Sequence, residues 1–216
     1  MPSTSHHPDP GVKRGRGVVV GILLASLLSV VASPATAQNQ HSMAGMGDHP
    51  RIAIPPGALY TVADVTFLQG MIAHHAQAIH MSRMAARHQA NAAVQRLAIK
   101  IEQSQVAEIN IMQEWLARNG QFVPDTASWH TMQMSGMLTA AELQELDAAS
   151  AGAFDRTYLT LMIQHHEGAL EMVRDLFATA GAAQDVDVSV FANDVVTVQT
   201  AEIGAMRQML SQLADQ

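Results

Sequence analysis

Two short stretches carry the side chains best able to do chemistry. Met71, His74 and His75 lie within five positions of one another, and Met162, His165 and His166 repeat the pattern 91 residues later. Thioether sulfur with imidazole nitrogen is a donor set that suits copper: Cu(I) is soft and accepts few ligands, and Cu(II) prefers imidazole with oxygen. The chain has no Cys. Zinc would therefore have to use His and carboxylate alone, leaving the methionines without a role. The expected metal is copper, with Cu(I) favoured and Cu(II) accommodated if Asp64, Asp155 or nearby glutamates add oxygen. Imidazole must be neutral to coordinate, so affinity is expected to fall below about pH 6.

These residues can act together only if an element sets them on one face. At 100° per residue, with Met71 at zero, His74 lies at about −60° and His75 at about +40°. Phe67, Ala78 and Asp64 fall between them, so the stripe is about 100° wide, the width of a core-facing surface. The two histidines flank Met71, one on each side, and the second copy has the same geometry.

From Tyr60 onward apolar residues recur at spacings of three, four and seven, predicting a helix to about His88. Asn91 caps a second helix that runs to Asn119 and is stopped by Gly120. Residues 120–138 read as a loop containing Pro124. Thr139 with Glu142 has the form of a capping box and opens a short helix. A third long helix is predicted over 153–179, stopped by Gly181, and a fourth from Asp187 or Ser189 to about Leu213. Residues 64–81 match 155–172 at an offset of 91. Gln105, Glu108, Ile109, Met112 and Leu116 match Gln199, Glu202, Ile203, Met206 and Leu210 at an offset of 94. Two repeated helical hairpins, about 60–119 and 151–214, make an all-α four-helix bundle over 58–216. Glu108 and Met112 share a face, as do Glu202 and Met206, so the bundle interior would gather Met, His and carboxylate groups from both copies.

Two further segments hold the same donors outside the predicted long helices. The first, 38–57, reads as a flexible arm containing His41, Met43, Met46 and His49. The second, in the central loop, contains His130, Met132, Met134 and Met137. Methionine gains little in a solvated loop and is open to oxidation there. Weak Cu(I) capture by mobile Met/His segments accounts for its presence. His80 and His88 are weaker candidates: His80 is replaced by Glu171 in the second copy, and His88 stands near a helix C-terminus, where its positive form complements the dipole.

The chain has 216 residues, 48% of them apolar and 14% charged, with a net charge of −7. That is enough apolar material for a core, and too acidic and too poor in aromatic residues for nucleic acid as the main partner. The start reads as an export signal: Lys13, Arg14 and Arg16 precede an apolar run over 17–31, and Ala35-Thr36-Ala37 supplies the small-x-small cleavage pattern. Removal of 1–37 takes away three basic residues and one acidic residue, bringing the net charge to −9. No other segment is long and apolar enough to span a bilayer, and the lack of Cys fits an oxidising compartment. The expected location is periplasmic or secreted. The expected partners are copper ions and other exported copper-handling proteins, with homo-oligomers compatible.

At 64–81 and 155–172, and in the Q-x-x-E-I-x-x-M elements at 105–112 and 199–206, the chain resembles the domain of unknown function 305 family, which includes CopM-like copper-binding proteins. The resemblance covers about Leu59 to the C-terminus. It implies a ferritin-like four-helix bundle, export, and copper binding with copper tolerance. By position it implies Met71, His74, His75, Met162, His165 and His166 as ligands, with Met81, Met172, Met112 and Met206 as second choices. The copies differ at His80/Glu171 and Gln77/Gly168, which leaves open whether the two sites are equivalent.

Two other readings remain at this point. A ferritin-like metal oxidase would need Glu-x-x-His pairs, and the chain contains none; copper oxidation stays open. A metal-free helical interaction module would use the same stripe as core packing, with each histidine hydrogen-bonded in the interior.

Overall fold

The structure, a computed structural model, describes residues 51–214. The expected export signal and His41, Met43, Met46 and His49 lie outside the described residues. Five α-helices follow one another: α1 (Val62–Met84), α2 (Ala92–Arg118), α3 (Ala140–Ala148), α4 (Ala151–Ala178) and α5 (Val186–Ala214). Among the described residues there is no strand. The long helices form two hairpins, α1–α2 and α4–α5, joined along α1 and α4, while α3 packs on α4. The fold is therefore the all-helical bundle of two hairpins that the repeat predicts.

The helix starts follow from side chains that accept otherwise unpaired N–H groups. Thr61 and Asp64 form a capping box on α1, the Asn91 amide oxygen accepts from Ala93 and Val94 on α2, and Thr139 with Glu142 forms the expected box on α3. The Asp185 carboxylate accepts from the Val188 N–H at 3.2 Å at the start of α5, so that helix begins slightly before the predicted position. Helix α1 stops at Met84 rather than near His88. The chain there turns through Gln89 (φ +56°) to bring Asn91 to its cap.

The motif aspartates, expected to offer oxygen to a metal, are instead spent on backbone. Besides its capping box, Asp64 accepts the Ala183 N–H at 2.6 Å. Asp155 accepts the Asn91 N–H at 3.0 Å and the Asn91 amide at 2.7 Å. Each aspartate thus fastens the start of its own helix to the hairpin turn of the other repeat.

The core has two apolar clusters. One gathers Phe67, Met71, Met112, Trp115, Val173 and Phe191, with Met172 against it. The other gathers Met81, Ile101, Phe154, Tyr158, Met162 and Met206. The first unites the N-terminal part of α1 with the C-terminal part of α4, so these helices run antiparallel. On α4 the boundary between the clusters falls across the paired histidines, between Met162 and Ala169, and on α1 it falls about one turn past them, at Ala76–Ile79.

Helix α1 is buried all round from Phe67 to Ile79, which its one-sided stripe does not foretell. Its second face is covered by residues 121–138, which are not a free loop. They contain a 3-10 turn, Thr126–His130, and Met132 and Met137 are buried.

Candidate metal centre

The adjacent histidines of each motif point to different neighbours, as the angles of −60° and +40° require. His74 and His165 face each other between α1 and α4, with ring centroids 3.9 Å apart. His75 turns toward its own hairpin partner and meets Glu108 on α2, Nε2 to Oε2 at 2.6 Å. His166 meets Glu202 on α5 in the matching way at 2.8 Å. All four rings are buried, as are Met71, Met81, Met112, Met162 and Met206. Met71 and Met112 lie on one side of the histidine layer with the partly buried Met172, and Met162, Met206 and Met81 lie on the other.

The hydrogen bonds determine which nitrogens are bare. A carboxylate only accepts, so Nε2 of His75 and of His166 carries the proton and donates. Burial alone would raise the Glu108 carboxyl. The hydrogen bond and charge of His75, with the Ser104 hydroxyl, outweigh this and hold it below the ordinary carboxylate value. His74 donates Nε2–H to the Ser135 carbonyl at 3.0 Å. In the neutral form of each of these three rings Nδ1 is then a lone pair. All three Nδ1 atoms are buried without a hydrogen-bond partner from the protein, and His165 has no such partner at either nitrogen. Burial, aided by the neighbouring His75, pushes His74 down to about 3. Burial, then His74 and His166, hold His165 well below the ordinary imidazole value. Both rings stay neutral at pH 5–7, so for this pair the expected loss of affinity below about pH 6 moves to more acid conditions.

Buried nitrogens without a partner, two of them on rings backed by glutamates, with thioethers on both sides of the layer, fit a soft metal ion. Histidines of metal sites are commonly oriented in this way by a carboxylate on the far nitrogen. Among the described residues no group of three or more His, Asp or Glu side chains could hold a metal ion by itself; the buried methionines are the soft donors beside the histidines. The amide oxygens of Gln105 and Gln199 are also buried without a partner, at matching positions of the two repeats. Sequence reasoning gave these residues no role, although their match at an offset of 94 was visible.

The central segment differs most from expectation. It packs on α1 rather than standing free: His130 stacks on Trp129 with centroids 3.7 Å apart, and the His80 ring lies 5.0 Å from Trp129. Met132 and Met137 are buried and Met134 is half-buried. His88 is occupied outside the centre, Nδ1 on the Ala149 carbonyl at 2.9 Å and Nε2 on Asp147 at 3.1 Å.

Comparison with known proteins adds the family. The model of the Domain of unknown function (DUF305) matches residues 64–210. The chain belongs to the DUF305 family. A DUF305 fragment from Deinococcus radiodurans is 32% identical, with a TM-score of 0.62 over 71% of this chain and 98% of that one. A candidate secreted DUF305 protein from Streptomyces coelicolor is 28% identical, with a TM-score of 0.63 over 70% of this chain and 94% of that one. CopM in its Cu(I)-bound form is 28% identical, with a TM-score of 0.55 over 69% of this chain and 96% of that one. CopM structures in Ag-bound and Cu(II)-bound forms also match. No curated protein matches the chain.

Proposed function

We propose that this DUF305 protein is an exported copper-binding protein that sequesters or buffers copper, chiefly Cu(I), and contributes to copper tolerance. The observation that carries the reading is the layer of four buried histidines with bare nitrogens, lined on both sides by methionines. Leaving a buried polar atom unpaired costs about 1–3 kcal/mol, and five imidazole nitrogens here lack a protein partner. A metal-free packing role offers no return for that cost, whereas a coordinated ion uses these lone pairs. Capture of copper by the likeness-bearing relative CopM supports the same metal. The ligands would come from His74, His75, His165 and His166, with Met71, Met162, Met112 and Met206 supplying sulfur. Met81 and Met172 stand farther along the helices, and His130, Met132, Met134 and Met137 on the segment above. Binding rather than turnover is the activity proposed. Export rests on the basic, apolar and small-residue pattern of 1–37; among the described residues no helix is long and apolar enough to cross a membrane.

The test is a Cu(I) titration of the metal-free chain against a competing chelator. The parent should bind tightly, and replacement of all four histidines by Leu should weaken binding by at least a hundredfold. Equal affinity in the two chains would move copper to the Met-containing segments. If the folded parent does not compete with the chelator, the copper reading fails.

A further inference from the structure

The central histidines are closed off from solvent, His74 at 0% and His165 at 1% exposure, so an ion needs a way in. The element over them is the segment 121–138. What holds that segment is a set of residues at which the two repeats differ. Gln77 grips its end, donating to the Leu138 carbonyl at 3.1 Å and accepting the Leu138 N–H at 2.7 Å. The matching position on α4 is Gly168, and there the Ser135–Gly136 backbone lies directly on the helix. A Cβ on Gly168 would meet the Ser135 carbonyl oxygen at 2.1 Å and the Gly136 Cα at 2.4 Å. His80 faces Trp129, and its counterpart Glu171 accepts the Ser135 hydroxyl. In the middle, the Ser135 carbonyl takes the His74 Nε2–H.

The differences between the repeats therefore seat one segment across the pair that the repeats share. The segment also carries donors from outside to inside: His130 is exposed, Met134 half-buried, and Met132 and Met137 buried without belonging to either apolar cluster. We propose that residues 126–138 form a hinged strap, seated on Gly168 and clamped by Gln77, that lifts to pass copper and on closing positions His74. Trp129 packs against the first apolar cluster and Leu138 belongs to the second. Between these two anchors the strap is held by polar contacts, which lets that part lift while the helices stay packed. The two histidines it covers are then inequivalent, because the Ser135 carbonyl accepts from the His74 ring, whereas the His165 ring packs on that of His74 with neither nitrogen hydrogen-bonded. This inference rests on the copper reading.

Gly168→Ala in the full chain tests it. Alanine favours a helix over glycine, so α4 is retained, while its Cβ meets strap backbone that must move. Strap seating is read by chymotrypsin cleavage at Trp129 and Leu138, and copper release by stopped-flow transfer of Cu(I) to a strong chelator. The expected result is faster cleavage in the strap and copper release at least tenfold faster than in the parent. If Gly168→Ala does not fold, Gln77→Ala, which frees both Leu138 bonds, carries the same two expectations. A cleaved strap with unchanged release overturns the gate and moves access to the cavity of about 320 Å³ between α2 and α5, which Met112 lines. A strap as protected as in the parent overturns the Gly168 seat. A parent that binds no Cu(I) overturns the copper reading and the gate with it, an outcome distinct from a binding parent whose release rate the variant shares.

Discussion

His75 and His166 give their Nε2 protons to Glu108 and Glu202, and this fixes which nitrogen of each ring a metal can use. If the glutamates act this way, Glu108→Gln with Glu202→Gln should hurt binding without touching a ligand. A glutamine amide can donate to Nε2, which moves the ring proton to Nδ1 and removes the lone pair there. The expected loss of Cu(I) affinity is about 10- to 100-fold, read by chelator competition; unchanged affinity would show that the glutamates do not orient ligands. The other two rings predict an acid response of the metal-free protein. His74 titrates at about 3 in the fold against an ordinary 6.5, and His165 is likewise lowered. The unfolded chain takes up protons below 6.5 that the folded chain refuses. Stability is then full above that pH and falls as the pH drops toward 3, by at most about 1.4 kcal/mol per pH unit for each ring. Urea unfolding at pH 7, 5.5 and 4.5 should show this decline, and His165→Leu should make it shallower. Equal stability at pH 7 and 4.5 would contradict it. The stripe of Met71, His74 and His75 was legible from spacing alone, because 3.6 residues per turn fixes relative angles. Which neighbour each histidine would meet was not, since that depends on how four helices are arranged around the stripe.

At the scale of the element, the informative residues are the motif aspartates. Spacing set Asp64 and Asp155 on the histidine face, which made them look like oxygen donors. The structure shows that a residue one turn into a helix is also within reach of backbone N–H groups, and both are used as caps that cross between repeats. Asp155→Ala should therefore lower unfolding stability by about 1–3 kcal/mol and leave copper stoichiometry unchanged, as measured by urea unfolding and by metal analysis of the loaded protein. A drop in stoichiometry with stability retained would return Asp155 to the ligand set. The capping box at Thr139, the Asn91 cap and the end of α2 before Gly120 could be read from sequence because each is a local signal, whereas the end of α1 at Met84 could not. The strap could not. It is seated by Gln77 and Gly168, from opposite hairpins, and its methionines, unusual for an exposed connection, did not show what they pack against.

At the scale of the whole molecule, a duplicated hairpin yields a bundle that is near-symmetric in its histidines, glutamates and caps and asymmetric where the strap crosses. The repeat made the pairing of hairpins and the family legible, since its elements recur at fixed offsets. The strap's asymmetry showed in the sequence only as two mismatches, Gln77/Gly168 and His80/Glu171, without a meaning until α1 and α4 lay side by side. If the proposed function holds, copper is bound in the core by nitrogen and sulfur together. Copper-edge X-ray absorption of the Cu(I)-loaded protein tests it most directly. Imidazole nitrogen together with thioether sulfur around the metal is the predicted result, with the nitrogen contribution reduced when His74 and His165 are replaced by Leu. A copper environment of sulfur alone, unchanged by that replacement, would contradict it.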